Sequence, residues 1–77
     1  MRHLQVESSC IKSVGYNRKC EILEIDYKGS GLYQYGNISP EQWAEFSMAD
    51  SMGKWVWNNL RKNVDEHPYE RVKREVA

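Results

Sequence analysis

The 77-residue chain has no excess of charge of either sign, since 11 Lys and Arg balance 11 Asp and Glu. Strong nonspecific attraction to nucleic acid usually needs a basic surplus, so only a local basic patch remains open. No apolar stretch approaches the roughly 20 residues of a membrane span, and no membrane partner is expected. The opening "MRHLQVESSC" has one basic residue and no apolar run. No secretory leader is read there, and a cytoplasmic location is expected. There are two cysteines, Cys10 and Cys20, outside any CxxC pair and without a His or Cys cluster around them. A metal site is therefore not expected. A two-residue turn at Asn17-Arg18 sets Cys20 opposite Gly15 and Cys10 opposite Ile25. That spacing is too wide to bridge, so both thiols are expected free, as in a reducing compartment. His3 near the terminus and His67 beside Pro68 are expected to face solvent. The nucleophiles Ser8, Ser9, Cys10 and Cys20 then have no ordered histidine beside them. Glu24 and Asp26 read as a solvated acidic stripe on one strand face. No catalytic residue and no cofactor is expected, and the chain is not read as an enzyme.

Apolar residues make up 40% of the chain and three are tryptophans, which places it among globular rather than disordered sequences. Its length allows one domain with a modest core. Residues 6–16 read as a strand with a bulge near Ser13 to Gly15, because Val6, Ile11, Val14 and Tyr16 do not keep one alternation. "NRK" at 17–19 is a turn. "CEILEIDYK", 20–28, is the clearest strand, with Leu23, Ile25 and Tyr27 on one face. "GSG" and "LYQYGN" follow as a turn and a third strand.

Tyr33 and Tyr35 must share a face, because strand side chains alternate. A two-residue Gly29-Ser30 turn would put them on the charged face. A three-residue Gly29-Ser30-Gly31 loop would set Tyr33 opposite Tyr27 and Tyr35 opposite Ile25, on the apolar face. One residue of register decides between them. The longer loop is favoured, because Gly31 can take its left-handed end position and Tyr27 gains an aromatic partner.

"ISPEQW", 38–43, starts a helix. Ser39 is the N-cap, Pro40 the first helical residue, Gln42 completes a capping box, and Ile38 and Trp43 can staple it. This helix is expected over Pro40 to Ala49, burying Trp43 and Phe46. Asp50 or Ser51 caps a second helix reaching Asn63. Met52, Val56, Leu60 and Val64 share its apolar face, and Lys54, Asn58 and Arg61 the opposite one, flanked by Trp55 and Trp57. The charged tail, 65–77, reads as frayed or as a short helix lined by Tyr69, Val72 and Val76. The expected fold is α+β: a three-stranded antiparallel β-meander (β-β-β-α-α) packed on one face by two α-helices, within a domain spanning 1–64.

The ordered set "VESSCIKSVGY", "LEIDY", "GLYQYGNIS", "ADSMGKW" and "LR" resembles the KTSC domain. That family occurs at the C-terminus of some lysyl-tRNA synthetases and as small stand-alone bacterial or phage proteins. The resemblance covers about residues 6–62. It is carried by Val6, Ser8, Ser9, Gly15, Tyr16, Gly31, Tyr33, Tyr35, Ala49, Ser51 and Gly53. It implies the fold more than an activity, and RNA binding has been suggested for the family.

Three groups of residues could carry binding. Tyr33 and Tyr35 could stack bases, or could be core with hydroxyls reaching Ser8-Ser9 or the "SMG" segment. "DSMGK" offers Ser51, Gly53 and Lys54 at a helix start suited to an anion, or else ordinary capping and close packing. Lys54, Asn58 and Arg61 beside tryptophans suit phosphate contacts and stacking, or form a solvated helix face. The expected function is a non-catalytic module associated with RNA or other nucleic acid, acting as a monomer or weak homodimer. The alternative is a protein-interaction module, such as a phage-encoded inhibitor or adaptor, using an exposed patch at Trp55 and Trp57.

Overall fold

A computed structural model describes residues 3–6 and 8–72. Its sheet is an antiparallel meander of five strands in sequence order. They are β1 (His3–Gln5), β2 (Ile11–Asn17), β3 (Ile22–Tyr27), β4 (Gly31–Tyr35) and β5 (Tyr69–Val72). The three expected strands form the centre, and the sheet gains a strand at each edge. Chain ends that read as unstructured can still complete an edge, because an unpaired strand offers a row of free N–H and C=O groups. Thus Tyr69–Val72 is neither frayed nor helical but pairs with β4, from Leu32↔Val72 to Tyr35↔Tyr69. Val76 lies outside the described residues.

The register places the two tyrosines. β3 and β4 pair Leu23↔Tyr35, Ile25↔Tyr33 and Tyr27↔Gly31. The connection is three residues long, but it is Lys28-Gly29-Ser30, two residues of pairing away from the expected register. A slip of two preserves the face, so both rings lie on the apolar side. Gly29 and Gly31 have φ of +84° and +94°, the left-handed region that glycine enters without a steric penalty. Tyr27 and Tyr33 meet diagonally, edge to face at 5.5 Å, rather than directly opposite. β2 shifts register between Ile11 and Ser13, a bulge slightly earlier than its alternation suggested. The β2–β3 loop is four residues, 18–21, so Gly15 faces Glu24 and Cys20 lies beyond the ladder. Both cysteines are free and exposed.

Two helices cover the apolar face. In α1 (Pro40–Ser47) the Gln42 N–H donates to Ser39 Oγ, and the Ser39 N–H donates to Gln42 Oε1, a complete capping box. Phe46 is fully buried. Trp43 remains half-buried, stacked nearly parallel on Tyr16 at 5.3 Å, and Tyr16 donates its hydroxyl proton to the Ile38 carbonyl at 2.6 Å. Ser51 caps α2 (Met52–Val56) by accepting from the Lys54 N–H. The helix continues only to Arg61, and its second half, Trp57–Arg61, is a π-turn. Val64 therefore lies beyond the helix and off its stripe. Val56 and Leu60 are buried as expected, whereas Val64, expected on the same stripe, is exposed.

After the helix the chain returns to the sheet through specific contacts. The Gly36 N–H donates to the Pro68 carbonyl, and the Asn37 side chain donates to the Glu66 carbonyl. His67, expected to face solvent, is buried. Its Nδ1–H donates to the Gly36 carbonyl, which leaves Nε2 to accept from the Gln42 amide. The capping box of α1 is therefore also the anchor for the segment that delivers β5.

A candidate nucleic-acid groove

On the helix-covered side, the open end of the sheet carries a basin of about 310 Å³ walled by Tyr27, Tyr33, Tyr35 and Tyr69, with Arg61 at its rim. Tyr35 is buried at 4% exposure, Tyr33 is half-buried, and Tyr69 is 54% exposed. The Tyr69 ring packs on both Tyr33 and Tyr35, with centroids 5.9 Å apart in each case. The Tyr27 and Tyr35 hydroxyls are hydrogen-bonded to each other at 2.7 Å. Burial pushes the Tyr27 phenol far up, reinforced by its bond to Tyr35, and burial raises Tyr35 as well. The pair is thus neutral at physiological pH. One O–H is used between them, leaving one O–H and free lone pairs for another partner.

Two guanidinium groups flank the rings. Arg61 lies over Trp57, its Cζ 5.5 Å from the ring centroid, and Trp57 is 52% exposed. Cation–π contact holds the arginine at the rim. Arg71 pairs directly with Tyr33 across the ladder. Its guanidinium passes 3.6 Å from where a Cβ on Gly31 would stand. A second concavity of about 240 Å³, lined by Cys10, Lys28, Gly53 and Trp57, shares Tyr27, Ser30 and Arg61 with the basin. The two concavities lie side by side, with Arg61 lining both.

Lys54, Asn58 and Arg61 are all exposed, as a polar helix face should be, and Arg61 links that face to the tyrosines. Trp55 turns inward instead, 7% exposed, packed on Phe46 and donating to Glu45, so it offers no contact surface. The Ser51 hydroxyl is occupied as a cap. A Cβ at Gly53 would lie 3.2 Å from Cys10 Sγ, so this glycine permits close approach of the chain leading into β2. Ser8 and Ser9 do meet the Ala49–Met52 segment, across a separate hollow. The Tyr35 hydroxyl is satisfied by Tyr27 rather than by either segment. Tyr69 and Arg71 were missed from sequence because the tail gave no clear strand. The only signal was an aromatic and a β-branched residue three apart after Pro68.

The opposite sheet face holds a second polar group. His3 accepts or donates at Ser13 Oγ (2.8 Å) through Nδ1 and contacts Glu24 Oε1 through Nε2, while the Gln34 amide donates to Glu24 Oε2 at 2.8 Å. Burial pulls the Glu24 carboxyl up, but the hydrogen bonds from Gln34 and His3 and the charge of His3 hold it below its ordinary value. Asp26 is buried too. The expected solvated stripe is instead a partly sheltered network, in which β1 supplies His3 and β4 supplies Gln34 to Glu24. Serine, histidine and glutamate fall in the order of a hydrolytic triad. Ser13, however, sits mid-strand at 8% exposure, whereas a nucleophile is presented on a sharp turn beside oxyanion donors. The network joins β1, β2, β3 and β4.

Fold and groove together define a small meander-and-helix α+β domain with an aromatic, arginine-rimmed groove. A sequence profile of the KTSC domain matches residues 7–64, and the chain belongs to that family. It is 33% identical over 54 residues to an uncharacterized protein of Stutzerimonas stutzeri, covering 70% of this chain and 76% of that one. A protein of Tsukamurella paurometabola is 35% identical over 51 residues, 66% of this chain and 76% of its own. The crystal structure of a KTSC domain protein from Yersinia pestis superposes with a TM-score of 0.86 at 25% identity, over 94% of this chain and 97% of that chain. Among the described residues, no helix is long and apolar enough to cross a membrane.

Proposed function

We propose that this domain is a non-catalytic module that binds single-stranded RNA along the groove from Lys28 and Gly53, past Arg61, to Tyr69. The observation that carries this reading is that Arg61 lines both concavities, so that one cation meets aromatic walls on either side. Phosphates take a basic track and bases take aromatic faces, a combination that tolerates any sequence. The charge balance fits as well. Glu24, Gln34 and Glu70 form one row on the far face of the sheet, while Arg71 stands beside Tyr33 on the near face. A chain of zero net charge thereby gains a local basic surface.

An NMR titration with a short single-stranded RNA at low salt tests the reading. Shifts at Lys28, Gly53, Arg61, Tyr33 and Tyr69 are expected. A spectrum unchanged at these residues removes it. The alternative, a protein partner, is favoured by the exposure of Trp57 and Val64 around the same arginine. That interface would hold its affinity as salt rises, which RNA binding does not.

A further inference from the structure

We infer that the tyrosine basin is a pocket for a single nucleotide: one unstacked base lies within it against the Tyr69 ring, its edge reaches the Tyr27–Tyr35 hydroxyl pair, and its phosphate sits on Arg61. This deepens the RNA reading and rests on it for the class of ligand.

Volume sets the size of the occupant. About 310 Å³ is at the small end of ligand sites, which run from roughly 300 Å³ upward, and suits one nucleotide rather than a stacked run. Geometry sets the mode of contact. Tyr69 packs tilted on Tyr33 and Tyr35 at 5.9 Å, and with Tyr27 these rings wall the basin. Tyr69 is 54% exposed, so part of its ring stays open to a base. The hydroxyl pair has a donor and acceptors to spare, matching the mixed donor–acceptor edge of a base. Arg61, steadied over Trp57, supplies the cation that a phosphate requires. Arg71, across the ladder from Tyr33, stands ready for the neighbouring phosphate of a longer strand. An apolar ligand would leave the arginine and hydroxyls unanswered, and a bare anion would leave the rings unused. A nucleoside phosphate answers both.

The test is an NMR titration of the full chain with adenosine monophosphate, adenosine and inorganic phosphate in parallel, together with Tyr69→Val and Arg61→Gln. Valine removes the ring while keeping a strand-forming residue in β5, and the Gly36 and His67 amide signals report whether that edge stays docked. The monophosphate is expected to shift Tyr27, Tyr33, Tyr35 and Tyr69 together with Arg61. Each substitution should weaken it at least about fivefold, the low end of one base–aromatic stack. If inorganic phosphate alone reproduces the shifts, no base is seated and the inference is overturned. If RNA shifts the groove but the monophosphate leaves the tyrosines unmoved, the inference also falls while the RNA reading survives. If the monophosphate seats and RNA does not bind, the pocket stands and the RNA reading falls.

Discussion

The Tyr27 and Tyr35 hydroxyls lie 2.7 Å apart although the two residues are not paired across the ladder, since Tyr27 faces Gly31 and Tyr35 faces Leu23. The contact is made by the far ends of two long rings leaning toward each other. It rests on ring packing, and a double-mutant cycle with Tyr27→Phe and Tyr35→Phe should measure a coupling of about 1 kcal/mol.

The same burial makes the domain sensitive to alkali. Tyr16, Tyr27 and Tyr35 are all raised above their ordinary value of 10.0, burial being the leading cause in each. An unfolded chain releases these protons first. The stabilisation is therefore fully present below pH 10.0 and is lost as pH climbs toward the folded values. Urea midpoints followed with phenolate absorbance should fall between about pH 9 and about pH 11, and Tyr27→Phe should lessen the fall.

Glu24 behaves oppositely. Its carboxyl is held below the ordinary 4.5, so its contribution is present above that pH and disappears as pH falls through the folded value. In Glu24→Gln the acid transition should begin from a lower stability and be shallower. A slope identical to the parent's in an acid denaturation series would show that the His3–Glu24–Gln34 network contributes nothing.

Tyr35→Ala should cost on the order of 3 kcal/mol, as large core truncations do. Tyr33→Ala should cost less, because Tyr33 is only partly buried whereas Tyr35 is 4% exposed. Chemical denaturation of the two variants gives the ratio directly.

His67→Ala removes a buried ring bonded to Gly36 and Gln42. A loss of about 2 kcal/mol is expected, from the two stranded partners and the small cavity. Hydrogen exchange should locate the damage: amides of β5 lose protection while those pairing β2 with β3 keep it.

If RNA occupies the groove, binding should weaken steeply with salt, and Arg61→Gln should lower the log–log slope by about 0.7, one phosphate contact on a single strand. Lys54→Gln, farther along the helix, tests whether the track continues that way. Fluorescence anisotropy at several salt concentrations reads both.

The local grammar of the chain was enough for the three central strands, the capping box at Ser39 and Gln42, the Ser51 cap and the face on which Tyr33 and Tyr35 lie. Each of these depends on alternation, on a glycine φ or on a side chain bonding within three residues. The family resemblance was also legible, since its motifs lie in these segments. What local pattern could not carry was whatever depends on distant chain. β1 and β5 exist because the ends find free sheet edges, and short segments such as "HLQ" and "YERV" are too brief to announce a strand. His67 is buried only because Gly36 and Gln42 come to meet it. The helix ends at Arg61, before Val64, and Val64 is exposed. Trp55 and Trp57 parted for the same kind of reason: one had Phe46 and Glu45 within reach, the other lies half-exposed under Arg61. Sequence thus determined which side of the sheet the tyrosines occupy. Tertiary structure decided that Tyr69, Arg71 and Arg61 would gather around them, because those residues approach through pairings separated by dozens of positions along the chain.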